Sequence, residues 1–231
     1  MKSEILHTRR KEMKYIVNYG QYLLLSSLLK SVMEPDPHSN EEGYYFVRSL
    51  YFDSFKEKDF TEKEEGIAHR RKIRLRYYSL EPELVKLETK EKMNLHTMKK
   101  SLSLSREEAQ VIFQGDYEGL IESEPRLYDH LKSFSYGPST LVDYEREAYV
   151  SELFQVRINF DMNIRGTRFF EHAFHEETAM VPLIDHGLYI LEVKYTGHLP
   201  DYLQSVLSQI EVSQVSYSKY YYSRKMSGGY L

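Results

Sequence analysis

Short runs of alternating apolar and polar side chains recur along the chain, at residues 12–17, 44–53, 72–78, 84–90, 141–150, 155–161 and 188–195. A period of two is the signature of a half-buried strand, so these seven runs predict strands. Stretches of helical spacing lie between them, at residues 21–33, 106–113, 125–134 and 200–212. Ser105 followed by Glu108 forms a capping box at the start of the second helix. Most of the seven prolines fall where elements change, and there is no repeat or low-complexity linker. The pattern predicts one domain over residues 1–231, of α+β class with an antiparallel sheet.

The alternation also sorts charge, because every second residue of a strand faces the same way. Lys72, Arg74 and Arg76 oppose Ile73, Leu75 and Tyr77, and Lys86, Glu88 and Lys90 oppose Val85, Leu87 and Thr89. Arg157, Asn159 and Asp161 oppose Val156, Ile158 and Phe160, while Glu192 and Lys194 oppose Leu191, Val193 and Tyr195. An open sheet with one solvated face explains any single strand of this kind. Four strands dominated by Lys and Arg point instead to a closed antiparallel β-barrel, a tunnel of about eight strands with flanking helices, whose basic rows face inward. Enclosed like charges need an anion to neutralise them.

Composition changes this picture in two ways. The formal net charge of −4 hides a basic segment: residues 69–100 hold ten Lys or Arg against four Glu. Net acidity argues against a nucleic-acid partner. The absence of cysteine removes disulfides and thiolate chemistry and agrees with a reducing compartment. No apolar run reaches the ~18 residues a membrane span needs; the longest, residues 22–33, is broken by Ser26, Ser27, Lys30 and Ser31. With no signal-peptide pattern at the start, a cytoplasmic location is expected.

Arginine forks and lysine point charges in rows suit a linear string of phosphates. Glu12 and Glu192 each stand two residues from a lysine, Lys14 and Lys194. They are candidate ligands for Mg²⁺ or Mn²⁺ beside such a site, or else members of structural ion pairs. Glycine-rich phosphate loops, dinucleotide fingerprints, zinc-protease and serine-hydrolase motifs are missing. The nine histidines show no ligand spacing, and the cluster around Glu171, His172, His175, Glu176 and Glu177 reads as a solvated loop. The 21 tyrosines read first as core and rim packing.

Several segments, in order, resemble the polyphosphate polymerase domain of the vacuolar transporter chaperone (VTC) proteins, within the triphosphate tunnel metalloenzyme superfamily. They are Arg10-Lys-Glu-Met-Lys-Tyr15, Ser49-Leu-Tyr-Phe-Asp53, Lys72-Ile-Arg-Leu-Arg-Tyr77, Leu87-Glu-Thr-Lys90, Tyr144-Glu-Arg146, Val156-Arg157 with Asp161, Ile190-Leu-Glu-Val-Lys194 and Tyr217-Ser-Lys219-Tyr. The related CYTH branch carries Glu-x-Glu-x-Lys in its first strand; here positions 10, 12 and 14 are Arg, Glu and Lys, which favours the VTC branch. The resemblance implies transfer of the ATP γ-phosphoryl group to a growing polyphosphate chain, with Mn²⁺ or Mg²⁺ as cofactor. It implies that Arg74, Arg76, Lys90, Arg146 and Arg157 act on the transferred group, that Lys14, Lys72, Lys99, Lys194 and Lys219 bind phosphates, and that Glu192, with Glu12, holds the metal. Ser101 stands where the family often has another basic residue, which leaves Lys99 and Lys100 as alternatives. The chain resembles the catalytic domain without the regulatory and membrane-spanning segments of the eukaryotic proteins, so a separate membrane protein is a candidate docking partner by analogy. Residues 217–225 are expected to form a helix closing one mouth of the barrel. A triphosphate hydrolase and a polyphosphate-binding module remain the alternative functions.

Overall fold

The computed structural model describes residues 4–7, 10–93, 96–174 and 178–226. Glu171 and His172 of the polar cluster lie in a turn, while His175, Glu176 and Glu177 fall outside the described residues.

The elements run β1 (Glu4–His7), β2 (Arg10–Asn18), α1 (Tyr19–Lys30), β3 (Glu34–Pro35), β4 (Tyr44–Ser54), α2 (Lys58–Glu64), β5 (His69–Tyr77), β6 (Leu84–Met93), β7 (His96–Ser105) and α3 (Arg106–Phe113). A 3₁₀ turn (Glu118–Leu120) follows, then α4 (Pro125–Ser133), β8 (Tyr136–Ser151), β9 (Val156–Thr167), β10 (Val181–Pro182), β11 (Leu188–Thr196), α5 (Asp201–Leu207) and α6 (Lys219–Met226). All seven predicted strands are present. The alternation of Leu102 and Leu104 with serines extends β7, which the pattern did not predict. The capping box at Ser105 forms as expected, with Ser105 Oγ accepting from the Glu108 N–H at 3.2 Å. Helix α5 ends earlier than predicted because Ser208 and Gln209 turn their side chains onto the Ser205 carbonyl, and such local bonds compete with the helix. The unpredicted α2 has little apolar periodicity. Its free N–H groups at Asp59 and Phe60 are instead taken by the Asp53 carboxylate at the end of β4.

Among the described residues, eleven strands form one antiparallel sheet, in the order β1-β7-β6-β5-β4-β8-β9-β11-β2, with β10 attached to β9 and β3 to β8. This corrects the expected closed eight-stranded barrel. The backbone ladder ends on β1 at one edge and on β2 at the other, so hydrogen bonding leaves it open. The edges are nevertheless neighbours in the chain: His7 pairs with Met98 on β7, and Arg10 pairs with Thr196 on β11. Three Cα–Cα steps span at most about 11 Å, so the chain itself holds the two edges close and the sheet must curl. A hydrogen bond from Lys90 Nζ on β6 to Glu12 Oε2 on β2, 3.1 Å long, crosses the gap.

The curl separates three apolar clusters. Outside β4–β7, Phe52, Ile73, Leu75, Leu87 and Leu102 pack under α3 and α4. Outside β2, β9 and β11, Val17, Ile158, Phe160, Leu191 and Val193 pack under α1 and α5. Each such side chain contributes about 1.5–3 kcal/mol by leaving water, which pins the opposite, charged rows to the concave side. The third cluster, Val47, Tyr51, Val142, Tyr144, Ile164 and Ile190, lies on the concave side and is covered by Tyr217 and Tyr220 around α6. A β-bulge between β8 and β9, with Asn163 in the left-handed region (φ 49°), shifts the alternation so that Ile164 joins this inner cluster. Gly166 lets α6 lie flush on β9, since a Cβ there would overlap Ser223. Helix α6 therefore fills one end of the concave face, as expected of the C-terminal segment. Among the described residues, no helix is long and apolar enough to cross a membrane.

Candidate phosphate channel

Among the described residues, the concave side and the start of α6 gather the cations Lys14, Lys72, Arg74, Arg76, Lys90, Lys99, Arg146, Arg157, Lys194 and Lys219. These are the ten cationic candidates read from the sequence, and the sheet brings them together from seven strands and α6. All but Lys72 lean on five carboxylates, Glu12, Asp36, Glu88, Asp161 and Glu192.

On the β5–β6–β7 side, Glu88 is the hub. Arg74 Nη2 lies 2.7 Å, Lys99 Nζ 2.5 Å and Arg76 Nη1 3.5 Å from its oxygens. Burial disfavours the charge on Glu88, yet Arg74, Arg76 and Lys99 hold its carboxyl well below the usual range. Arg74 also donates to Tyr51 Oη at 3.1 Å; Arg74 and Arg76 outweigh burial there and lower the phenol. Lys99 is the inward residue of its pair, whereas Lys100 turns outward to Glu124 at 3.0 Å.

On the opposite side Glu192 is the hub. Lys194 Nζ lies 2.7 Å, Lys14 Nζ 3.4 Å and Arg146 Nη2 3.6 Å away, and Asn159 Nδ2 donates to it at 3.1 Å. Lys194, Lys14 and Arg146 overcome desolvation and keep Glu192 ionised well below the ordinary range. Burial lowers Lys194 to about 8, against the pull of Glu192. Arg146 forks onto Asp161 at 2.6 and 2.9 Å, and Lys219 adds a further bond to that carboxylate. Despite burial, these two cations lower Asp161 to about 2. Arg157 pairs with Asp36 and donates to Tyr45 Oη at 2.8 Å.

Residues 9–227 match the family described as the VTC domain. The chain belongs to this family. This VTC domain shares its fold with a putative adenylate cyclase from Bacillus halodurans, at TM-score 0.54 and 15% identity, over 94% of this chain and 96% of the other. It is similarly related to a putative adenylyl cyclase from Hippeastrum described as having a dominant triphosphatase activity, at TM-score 0.55 and 12% identity, over 96% of each chain. No curated protein gave a match.

Five contributors to the channel of this VTC domain do not stand out in the sequence as site residues: Glu88, Asp161, Asp36, Tyr51 and Ser218. Glu88 and Asp161 stand in the charged rows of β6 and β9, and that placement is the available signal. Asp36 and Ser218 sit outside any alternating run; Ser218 lies within the segment 217–220 that carries the resemblance, whereas nothing local marks Asp36.

Glu12 and Glu192 can be tested as cation ligands. The Lys14 ammonium lies between them, 3.2 Å from Glu12 and 3.4 Å from Glu192, so positive charge is already held at that point. Among the described residues, no group of three Asp, Glu, His or Cys side chains gathers to form a complete shell. Two carboxylates with further oxygens from phosphate and water suit Mg²⁺ or Mn²⁺, which often take only one or two protein carboxylates. The donor set therefore fits as a partial shell that phosphate oxygens would have to complete.

Proposed function

We propose that this VTC domain is a metal-dependent polyphosphate polymerase, transferring the γ-phosphoryl group of ATP to a polyphosphate chain held in the basic channel. The observation that carries this reading is the continuous inner row of cations. Lys72 to Arg76 alone span about 13 Å of strand, a length suited to several linked phosphates rather than a single carboxylate. Phosphoryl transfer needs little covalent help from protein, and positioning with charge neutralisation supplies most of the rate.

In this reading Arg74, Arg76, Lys90, Arg146 and Arg157 contact the transferred group, and Lys14, Lys72, Lys99, Lys194 and Lys219 hold the neighbouring phosphates. Glu192 with Glu12 would hold Mn²⁺ or Mg²⁺, which when bound neutralises phosphate oxygens and orients them. Glu88 and Asp161 act through the arginines: their ion pairs fix the guanidinium forks before substrate arrives.

A second reading, hydrolysis of inorganic or nucleoside triphosphate, draws on the triphosphatase activity ascribed to the Hippeastrum neighbour. The same inner row would bind that substrate. Incubation with ATP, Mn²⁺ and a short polyphosphate primer, resolved on a gel, separates the two. A ladder of lengthening chains is expected. Orthophosphate without chains would replace the polymerase with the hydrolase, and primer binding without turnover would leave a binding module.

A further inference from the structure

Nine of the ten channel cations contact a carboxylate within 4 Å; Lys72 is the exception among the described residues. Its ammonium bonds the Ser218 hydroxyl at 2.8 Å. Ser218 is buried and its Oγ also accepts from the Tyr221 N–H in the first turn of α6, so it serves the helix as well as the lysine. The charged groups that act most strongly on Lys72 are Lys14 on β2, Lys63 on α2, Arg74 on β5 and Lys90 on β6, and the Tyr220 ring on α6 lies beside it. All four are cations; the carboxylate nearest to them, Glu12, is taken up by Lys14 and Lys90.

We propose that Lys72 is a proton-linked anion receptor: neutral in the empty channel, it takes up one proton from solvent as a phosphate group enters and becomes that phosphate's counter-charge. The inference rests on the phosphate-channel reading. A phosphate dianion would supply the acceptor that no side chain provides and would offset the four surrounding cations. Desolvation and those cations already push the Lys72 ammonium well below its usual range. Binding of an anion reverses the balance of charge, so ligand and proton bind together. Each of the other nine already has a carboxylate within 4 Å, and Lys194, which burial lowers to about 8, is the same in wild type and in a Lys72 variant, so the difference between them isolates Lys72.

The test is calorimetric titration of inorganic tripolyphosphate into metal-free protein near pH ~8.5, where an ordinary lysine is charged, in two buffers of different ionisation enthalpy. The wild type is expected to take up protons on binding. Lys72→Arg, whose guanidinium is always charged, is expected to bind within about 3-fold of wild type but take up about one proton fewer. Lys72→Met should lose that proton and bind at least ~10-fold more weakly. Equal proton uptake by wild type and Lys72→Arg would overturn the inference while leaving the channel reading intact. Failure of wild type to bind tripolyphosphate would overturn both.

Discussion

The wall formed by β5, β6 and β7 carries five basic side chains, Lys72, Arg74, Arg76, Lys90 and Lys99; Glu88, the carboxylate of that wall that meets them, contacts Arg74, Arg76 and Lys99, and Lys90 reaches across to Glu12. The facing wall of β2, β8, β9 and β11, with α6, also carries five, Lys14, Arg146, Arg157, Lys194 and Lys219. These are matched by Glu12, Asp161 and Glu192, with Asp36 beneath Arg157. Both walls use one buried glutamate as a hub for three cations. They differ in what remains unbalanced. The first keeps a large positive surplus and is suited to gripping phosphates; the second is close to neutral and concentrates the carboxylates that would accept a cation. A buried charge must be matched by something, and where the protein does not match it the ligand does.

That contrast is broken most sharply at Glu192. Glu192→Gln is expected to reduce turnover about 10³-fold while tripolyphosphate still binds, as measured by the product gel and by calorimetry. Normal turnover in this variant would remove Glu192 as the metal ligand and make both walls merely phosphate-binding.

Glu88→Gln should act in the opposite sense. Arg74, Arg76 and Lys99 would lose their common partner, so stability without ligand falls by about 3 kcal/mol or more. Tripolyphosphate should restore much of it, through a larger rise in Tm than wild type shows. A variant whose Tm is unchanged with and without the anion would show that Glu88 does not balance that wall.

Smaller effects test individual forks. Arg74→Ala or Arg76→Ala is expected to weaken tripolyphosphate binding by roughly 1.5–3 kcal/mol each. Their effect on Tm should be slight, because the Glu88 carboxylate retains two other cations. Unfolding with unchanged affinity would make these arginines structural. The smallest effect is the most discriminating for register. Lys99→Ala should lose about 1 kcal/mol of affinity, roughly fivefold, and Lys100→Ala none, since Lys100 points outward to Glu124. The reverse order would place the wrong face of β7 in the channel.

Much of the channel is legible in the amino-acid sequence, because a strand converts sequence parity directly into geometry. Lys72, Arg74 and Arg76 have to share a side once Ile73, Leu75 and Tyr77 are committed to a core. Glu88 and Asp161 are visible in the same rows, but their role as hubs depends on diagonal contacts between strands. The choice between Lys99 and Lys100 becomes legible once residues 96–105 are taken as a strand: Leu102 and Leu104 are buried, so Lys100 shares their apolar side and Lys99 falls on the opposite one.

The sequence by itself determined which side chains are hidden in apolar cores and which charged rows must lie opposite them, since side-chain period and transfer free energy are local properties. Only the tertiary structure decided that the sheet stops short of a closed ladder. Only it brought Asp36 and Ser218 to cations 121 and 146 residues away in the chain. Those outcomes depend on which strands become neighbours and how the sheet curls, and chain connectivity between β1 and β2 fixes that through contacts no local pattern records.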